Sequence, residues 1–194
     1  MQERKHVICI CALLLAVVVL YSCSKSKTRT TAVGGGEMAV KTTIELKSNA
    51  FDDGGTIPAE YTCDGAGTSP ELRWSGVPVE TKSLVLISDD PDAPMGTFTH
   101  WVMYNIPPNV RSLPKGIPNK PRLDDGSLQG VNSARRIGYT PPCPPSGSHR
   151  YIFTIYALDT ALTLEPGANR SEVDKAMEGH ILAEGKLMGR YARR

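Results

Sequence analysis

The sequence predicts a mainly β domain, a sandwich of mostly antiparallel strands with a C-terminal helix docked on it. Three observations support this fold class. The 18 glycines and 15 prolines punctuate short apolar runs, which is typical of a turn-rich β protein. Strand patterns recur at loop-rich intervals, and helical periodicity is confined to the C-terminal end. This order is not the alternation of strands and helices that builds a parallel sheet.

The strand patterns differ in how buried they are expected to be. Thr43–Lys47 alternates apolar and polar residues, as a half-buried strand does. Ser83–Ser88 is almost wholly apolar and predicts a buried strand. His100–Ile106 and Arg150–Leu158 are rich in aromatic and β-branched residues, which favour strands. Residues 111–140 are rich in Gly, Pro, Asn and Arg and predict long loops.

The C-terminal segment changes to a helical pattern. Ser171–Asp174 has the form of a capping box, which predicts the start of a helix. Residues that could form one helical face then recur roughly at helical spacing. They are Val173, Ala176, Met177, His180, Ile181, Leu187 and Met188. Gly179 and Gly185 disfavour a helix, but the pattern predicts that it continues through this segment.

Residues 1–22 predict a signal peptide of the lipoprotein type. A short basic start precedes Val7–Tyr21, an almost unbroken apolar run of 15 residues. A spanning helix needs about 20 such residues, whereas this length suits a secretory signal. Leu20–Cys23 resembles a lipobox, so Cys23 would carry the lipid. The alternative is an uncleaved N-terminal anchor; either way the protein is expected in the cell envelope, tethered to a membrane outside the cytoplasm.

The rest of the chain divides into a tether and one folded domain. Residues 23–41 are rich in Ser, Lys, Thr and Gly, which predicts a flexible tether. Residues 42–194 are expected to form the domain. Within it only Cys63 and Cys143 remain. An even pair in an oxidising compartment predicts a disulfide, and the alternative is two free buried thiols.

Charge composition excludes one class of partner. The net charge is +2, and no run of Lys or Arg exceeds two residues. A nucleic-acid-binding surface needs a basic patch or stripe, so no nucleic-acid partner is expected.

The candidate functional residues lie beside two proline-rich loops. Asp90 and Asp92 end a buried strand in the stretch SDDPDAP, and His100 begins the next strand. His149 follows the loop PPCPPSG, and Tyr151 lies two residues further on. His149 and Tyr151 therefore share one face of a strand. A hairpin should bring His100 back toward the aspartates.

Several kinds of site are compatible with these side chains. An ordinary turn accounts for Asp and Pro alone. A metal site would need three or four converging ligands, and no close histidine pair supplies them. A hydrolase would need a poised nucleophile, and the chain has no G-x-S-x-G motif. An anion site asks only for imidazole, hydroxyl or backbone donors. The residues therefore favour a binding site for a small anion, with no metal and no cofactor.

The most specific signal is a set of three ordered motifs. They are DPDAP at Asp90–Pro94, HWVMYNIP at His100–Pro107 and PPCPPSGSHRYIFTIYALD at Pro141–Asp159. These motifs resemble the phosphatidylethanolamine-binding protein family, and most closely its prokaryotic, Raf-kinase-inhibitor-like branch. The resemblance covers about residues 42–194, and it includes the C-terminal segment HILAEGKLMGRY.

The resemblance implies two antiparallel sheets with a small helical contribution and an anion pocket at one end. The pocket would take the phosphate of a phospholipid head group, acetate or a phosphorylated residue. Carried over by motif, the ligand-binding residues are Asp90, Pro94, His100, Pro145, His149 and Tyr151. Asp92 would hold the loop. The chain departs from the branch at Thr140-Pro141, where Gly-Gly is usual, and this change would stiffen the pocket loop.

The function expected from these observations is a non-enzymatic, lipid-anchored binding protein. If its histidines bind as imidazolium, affinity should fall as pH rises through about 6.5 to 7.5. An inhibitor or interaction protein is the main alternative, with a partner such as a protease docking on the loop at residues 111–140. A weak hydrolase is the third possibility.

Overall fold

Two β-sheets of unequal size form the frame of the domain, as predicted. The computed structural model describes residues 42–193. The predicted signal peptide (1–22), the tether (23–41) and the lipidation residue Cys23 lie outside the described residues. The strands are β1 Thr42–Thr43, β2 Glu45–Lys47, β3 Leu72–Ser75, β4 Ser83–Asp90, β5 Phe98–Ile106, β6 Ser112–Leu113, β7 Leu128–Val131, β8 Ser148–Leu158, β9 Gly167–Asn169 and β10 Ile181–Ala192. A 3-10 turn at Ala59–Tyr61 and one α-helix, α1, at Arg170–Met177 complete the elements.

Most strand pairs in the two sheets are antiparallel. The larger sheet has the order β1-β10-β8-β4-β5-β7-β9, and the smaller has the order β2-β3-β6. Only the outer pairs β1–β10 and β7–β9 run parallel within the described residues. The predicted long loop at residues 111–140 contains the short strands β6 and β7. The strands β4, β5 and β8 lie side by side in the middle of the larger sheet, and they carry the candidate site at one end.

Alternation along the central strands fills two hydrophobic cores. Leu84 and Leu86 on β4 face the smaller sheet, where Leu72 and Trp74 meet them. The intervening residues of β4 face the opposite side of the larger sheet. There they pack with the helix α1 and the segment before it, in a cluster that includes Val85, Ile87, Leu162, Val173 and Met177. A strand that packs against a hydrophobic core on each face needs apolar side chains at successive positions. This requirement explains the apolar run Leu84–Ile87 in β4.

The predicted C-terminal helix is present as α1, but it is shorter than predicted. It begins after Asn169, whose side chain accepts from the backbone N–H of Glu172 while the Glu172 side chain accepts from the N–H of Asn169. The capping box therefore starts two residues earlier than the sequence pattern suggested. The predicted continuation through Ile181, Leu187 and Met188 is wrong, because residues 181–192 form β10.

The strand β10 alternates buried and more exposed residues. The side facing the core carries Ala183, Gly185, Leu187, Gly189 and Tyr191, all of which are buried. Two of these residues are glycines, so the apolar alternation is weak in the sequence. An ideal Cβ at Gly185 would lie 2.1 Å from the Ile44 carbonyl oxygen. The absence of a side chain there lets the neighbouring backbone approach the strand.

Candidate ligand-binding cleft

A β-bulge turns His100 toward the interior of the site. Ser88 pairs with Trp101, and the next residue, Asp89, pairs with Thr99. His100 is therefore the extra residue on β5, opposite no residue of β4. A bulge breaks strict alternation and re-aims a side chain. His100 consequently shares the side of the sheet that Trp101 faces, although strict alternation would put the two side chains on opposite faces.

Thr140 fixes the position of the His100 ring. The Nδ1 atom of His100 lies 2.8 Å from the Thr140 carbonyl oxygen, and the Thr140 N–H donates to the His100 carbonyl at 2.9 Å. A carbonyl oxygen only accepts, so Nδ1 of His100 carries the hydrogen. Asn132 supports this arrangement by donating to the Gly138 carbonyl and to the Thr140 hydroxyl, both at 2.8 Å.

Asp90 holds the second histidine. The Nδ1 atom of His149 lies 2.7 Å from Oδ2 of Asp90, and both side chains are buried. The other oxygen of Asp90 accepts from the backbone N–H of Asp92 at 2.9 Å. The carboxylate therefore orients the imidazole of His149 and also closes the turn that follows β4. The two residues are separated by 59 positions in the sequence.

Asp92 links the loop after β4 to the start of β8. Its carboxylate accepts from the backbone N–H and the Nε of Arg150, each at 2.9 Å, and from a terminal guanidinium nitrogen of Arg150 at 2.6 Å. The Arg150 side chain, followed by its backbone N–H, holds the pKa of Asp92 far below its usual range. Asp92 therefore joins the loop after β4 to the neighbour of His149, and its supporting role in ligand binding stays a prediction.

The two histidines face a small cleft of about 180 Å³. Its walls come from the loop after β4, the start of β5 and the segment before β8. The lining residues are Asp90, Ala93, Pro94, Phe98, His100, Thr140, Pro141, Cys143, Pro144, Pro145 and His149. Five of the predicted binding residues are among them. Four lining residues are prolines, which have no backbone N–H to offer a ligand.

Tyr151 lies beneath the cleft, outside the set of lining residues. Its ring meets that of His100 edge to face, with the ring centroids 5.2 Å apart. The side chain is buried, and its hydroxyl has no hydrogen-bond partner within the described part of the chain. Burial, followed by the nearby Asp90 carboxylate, raises the pKa of Tyr151. Tyr151 therefore packs against the His100 ring, and direct contact with a ligand stays a prediction.

A disulfide attaches one wall of the cleft to the rest of the domain. Cys63 and Cys143 are bonded, as predicted, with their Cα atoms 5.4 Å apart. The Cys63 N–H also donates to the Pro142 carbonyl at 3.0 Å, and the Tyr139 hydroxyl donates to the Tyr61 carbonyl at 2.9 Å. The segment at residues 58–67 therefore supports the wall from outside.

The cleft has little positive charge of its own. Its ionisable lining groups are Asp90, His100 and His149, and no Lys or Arg side chain lines it. Burial lowers the pKa of His100, although the hydrogen bond to Thr140 partly opposes this effect. His100 therefore favours its neutral form near neutral pH.

Three further properties of residues 42–193 concern a metal ion, a nucleophile and a membrane-spanning helix. No group of three or more His, Cys, Asp or Glu side chains there is arranged to hold a metal ion. The hydroxyl of Thr140 accepts from Asn132, and the sulfur of Cys143 is in the disulfide. In the same range, no helix has the length and apolar character that crossing a membrane requires.

Sequence reasoning missed several residues that shape the cleft. Asn132 and Thr140 act through hydrogen bonds that depend on long-range folding, and nothing in their immediate sequence marks them. Phe98 lies beside His100, with the ring centroids 4.7 Å apart. The sequence could have indicated this contact, because Phe98 lies two residues before His100 and alternate residues of a strand share a face.

Comparison with known proteins gives a consistent result. Residues 47–192 match the family model described as phosphatidylethanolamine-binding protein. A UPF0098 protein of Methanothermobacter thermautotrophicus is 57% identical over 150 residues, which covers 77% of this chain and 99% of the relative. A UPF0098 protein of Pyrococcus horikoshii is 50% identical, covering 84% of this chain and 82% of the relative.

Solved structures show the same likeness. A putative phosphatidylethanolamine-binding protein homolog from Chlamydia trachomatis superposes with a TM-score of 0.73 at 44% identity, covering 79% of this chain and 100% of the other. YbcL of E. coli, described as a new member of the mammalian family, gives a TM-score of 0.73 at 30% identity with the same coverage.

Proposed function

Because the chain belongs to the phosphatidylethanolamine-binding protein family, we propose that it is a non-enzymatic binding protein for a small phosphorylated or carboxylate ligand, such as a phospholipid head group. The observation that carries this proposal is the pair of buried histidines facing one cleft. The Nδ1 atoms of His100 and His149 are held by Thr140 and Asp90, so each ring leaves Nε2 for a ligand. An imidazole held in this way can donate from Nε2 to an oxygen atom of a small anion when that nitrogen carries a proton.

The size of the cleft supports a small ligand. Pockets for drug-sized molecules have volumes of about 300 to 1,000 Å³, whereas this cleft has about 180 Å³. A phosphate or carboxylate with a short substituent fits that volume. Pro94 and Pro145, which line the cleft, would contact the substituent, while the histidines bind the acidic group.

The absence of catalytic activity is part of the proposal. Among the lining residues, the sulfur of Cys143 is in a disulfide, and the Thr140 hydroxyl accepts from Asn132 without a hydrogen bond to a histidine or carboxylate base in the described part of the chain. We expect no turnover of ester and phosphate-ester substrates. Turnover that His149→Ala abolishes would contradict this part of the proposal.

Titration of phosphoethanolamine, followed by NMR, tests the binding site. The wild type should show chemical-shift changes at residues 90–100 and 140–149, and His149→Ala should show much smaller ones. His180→Ala is a matched control, because His180 also pairs with an aspartate at 2.7 Å but lies outside the cleft. Absence of shifts in the wild type would overturn the proposed site.

Export and lipid anchoring rest on the sequence of residues 1–23. We propose that Cys23 carries a lipid and tethers the domain to a membrane of the cell envelope. Labelling cells with a radioactive fatty acid should mark the wild type and not Cys23→Ser. Equal labelling of both proteins would contradict lipidation at Cys23.

A second candidate function is inhibition of, or docking to, a partner protein. A separate cleft of about 300 Å³ in the predicted loop region favours it, with a largely apolar lining that includes Leu113, Ile117 and Leu123. Replacing residues 112–125 should then remove an envelope partner that His100→Ala retains. The reverse pattern would favour the histidine cleft as the binding site.

A further inference from the structure

The two histidines that face the cleft have each committed one ring nitrogen to the protein. Nδ1 of His100 donates to the Thr140 carbonyl, and Nδ1 of His149 donates to the carboxylate of Asp90. The carboxylate also accepts from the N–H of Asp92, so both of its oxygens act as acceptors. A neutral imidazole has a single N–H. In their neutral forms, both rings therefore present a lone pair on Nε2.

An oxyanion entering this cleft would find few hydrogen-bond donors. Four of the lining residues are prolines, and no Lys or Arg is among them. The guanidinium of Arg150, the residue after His149, is engaged by Asp92. The buried carboxylate of Asp90 adds a negative charge beside His149. Two lone pairs and a carboxylate disfavour an anion, so neutral histidines alone do not make a good anion site.

One added proton changes this balance. On Nε2 of a histidine it would turn a lone pair into a charged donor that points at the ligand. The charge of the imidazolium would offset that of Asp90. The anion would then bind a pair of residues with no net charge and one strong donor.

The surroundings of His149 and His100 differ in how well they stabilise a positive charge on the imidazole ring. His149 contacts the carboxylate of Asp90, lies beside the Asp92–Arg150 ion pair, and is opposite Tyr191 on β10. The Tyr191 hydroxyl is itself engaged by Asp64.

His100 has a less favourable environment for a charge. Its own partner is the neutral carbonyl of Thr140, and its ring packs edge to face on Tyr151. The carboxylates of Asp89 and Asp90 favour its protonation, but burial outweighs them, and the charge of His149 would oppose it. Of the two rings, His149 therefore has the better partner for an added charge.

We propose that the cleft takes up its oxyanion together with one proton, which is held between Nε2 of His149 and the ligand. This inference rests on the proposed function and adds the protonation state of the bound complex. Binding would draw this proton from solvent. Where the uptake amounts to one proton, the affinity should fall by about tenfold for each unit by which the pH rises.

Calorimetry with the full chain counts the proton directly. Phosphoethanolamine is titrated into the wild type at about pH 7.5 in several buffers of different ionisation enthalpy, because a buffer that supplies protons adds its own heat to the signal. We expect a dependence on the buffer that corresponds to uptake of about one proton. Binding with the same heat in every buffer would overturn the inference and leave the proposed function intact. Absence of binding would overturn both.

Two variants assign the proton to one residue. His149→Gln keeps an amide that can donate to Asp90 but cannot take up a proton near neutral pH, so proton uptake should vanish and the affinity should become nearly independent of pH. His180→Gln changes an exposed histidine of the same pairing type and should keep the wild-type proton count. Undiminished uptake in folded His149→Gln would overturn the assignment to His149.

Discussion

At the scale of single residues, burial decides what a histidine–aspartate contact can do. The His149–Asp90 and His180–Asp159 pairs both join Nδ1 to a carboxylate oxygen at 2.7 Å. The side chains of the first pair are 9% and 5% exposed, and those of the second are 47% and 46% exposed. Water and salt screen the exposed pair, which is worth about 0 to 1 kcal/mol. The buried pair is screened far less, so it can fix a ring for binding.

Asp92 provides a residue-scale prediction. Hydrogen bonds from Arg150 hold the pKa of Asp92 well below its usual range. In Arg150→Ala this pKa should rise toward the ordinary value of about 3.9, but not reach it, because the backbone N–H of residue 150 still donates. Carboxyl NMR across an acid titration measures the change. Arg190→Ala, which alters the residue paired with Arg150 on β10, should leave Asp92 unchanged.

The lowered pKa of Asp92 also predicts how the stability of the fold depends on pH. A carboxyl whose pKa is lower in the folded state stabilises the fold above its unfolded pKa, and this contribution is lost as pH falls through the folded pKa. The wild type should therefore lose more stability below about pH 4 than Arg150→Ala does. Urea unfolding at acid pH measures this difference. Equal losses of unfolding free energy in the wild type and in Arg150→Ala would contradict the assignment of the pKa shift to Arg150.

At the scale of elements, β10 shows where the sequence pattern misled. Ile181 and Met188 lie seven residues apart, a spacing that is compatible with one helical face. The structure instead uses spacing of two, with Gly185 and Gly189 at buried positions. A glycine has no apolar side chain, so two of the buried positions of β10 do not appear as apolar residues in the sequence pattern. The central strands β4, β5 and β8 were predictable, because their apolar and β-branched residues are continuous.

Gly185→Ala distinguishes the strand from the predicted helix. In a helix this change would stabilise by about 1 kcal/mol. In β10 the new Cβ would lie 2.1 Å from the backbone oxygen of Ile44, so we expect destabilisation of about 1 to 3 kcal/mol. Urea unfolding measures it, with the exposed position Lys186→Ala as the control. A more stable Gly185→Ala variant would contradict the role of this residue in β10.

The disulfide provides a second element-scale prediction. Cys63 and Cys143 are separated by 80 positions, so opening their bond should lower the free energy of unfolding by about 4.5 kcal/mol in the chain-entropy description. Both residues are exposed, which makes the bond accessible to a reductant. The wild type should unfold at lower urea after reduction and bind phosphoethanolamine less tightly, since Cys143 belongs to the cleft wall.

The double variant Cys63→Ser/Cys143→Ser is the control for reduction. It should resemble the reduced wild type and show no response to the reductant. Coincident urea curves for the oxidised and reduced wild type would contradict a stabilising role for the bond.

At the scale of the whole molecule, the cleft exists only when distant segments meet. Asp90 and His149 were recognisable from the sequence, because Asp90 begins one proline-rich motif and His149 follows another. The bulge at His100 and the carbonyl of Thr140 were not, since both depend on strand register and on contacts across 40 positions. Local patterns therefore indicate which residues contribute to the site. The fold determines which ring nitrogen each histidine offers.

Because the unfolded chain has no cleft, a ligand should stabilise the whole fold. At a free concentration of phosphoethanolamine one hundred times Kd, the free energy of unfolding should rise by about 2.7 kcal/mol. At a fixed concentration the gain should be larger at about pH 6.5 than at pH 8, because binding is proposed to take up a proton. Urea unfolding with and without the ligand measures both effects. His180→Ala should respond like the wild type, and His149→Ala should show little gain. An equal gain in His149→Ala would mean that the stabilising site lies elsewhere on the domain.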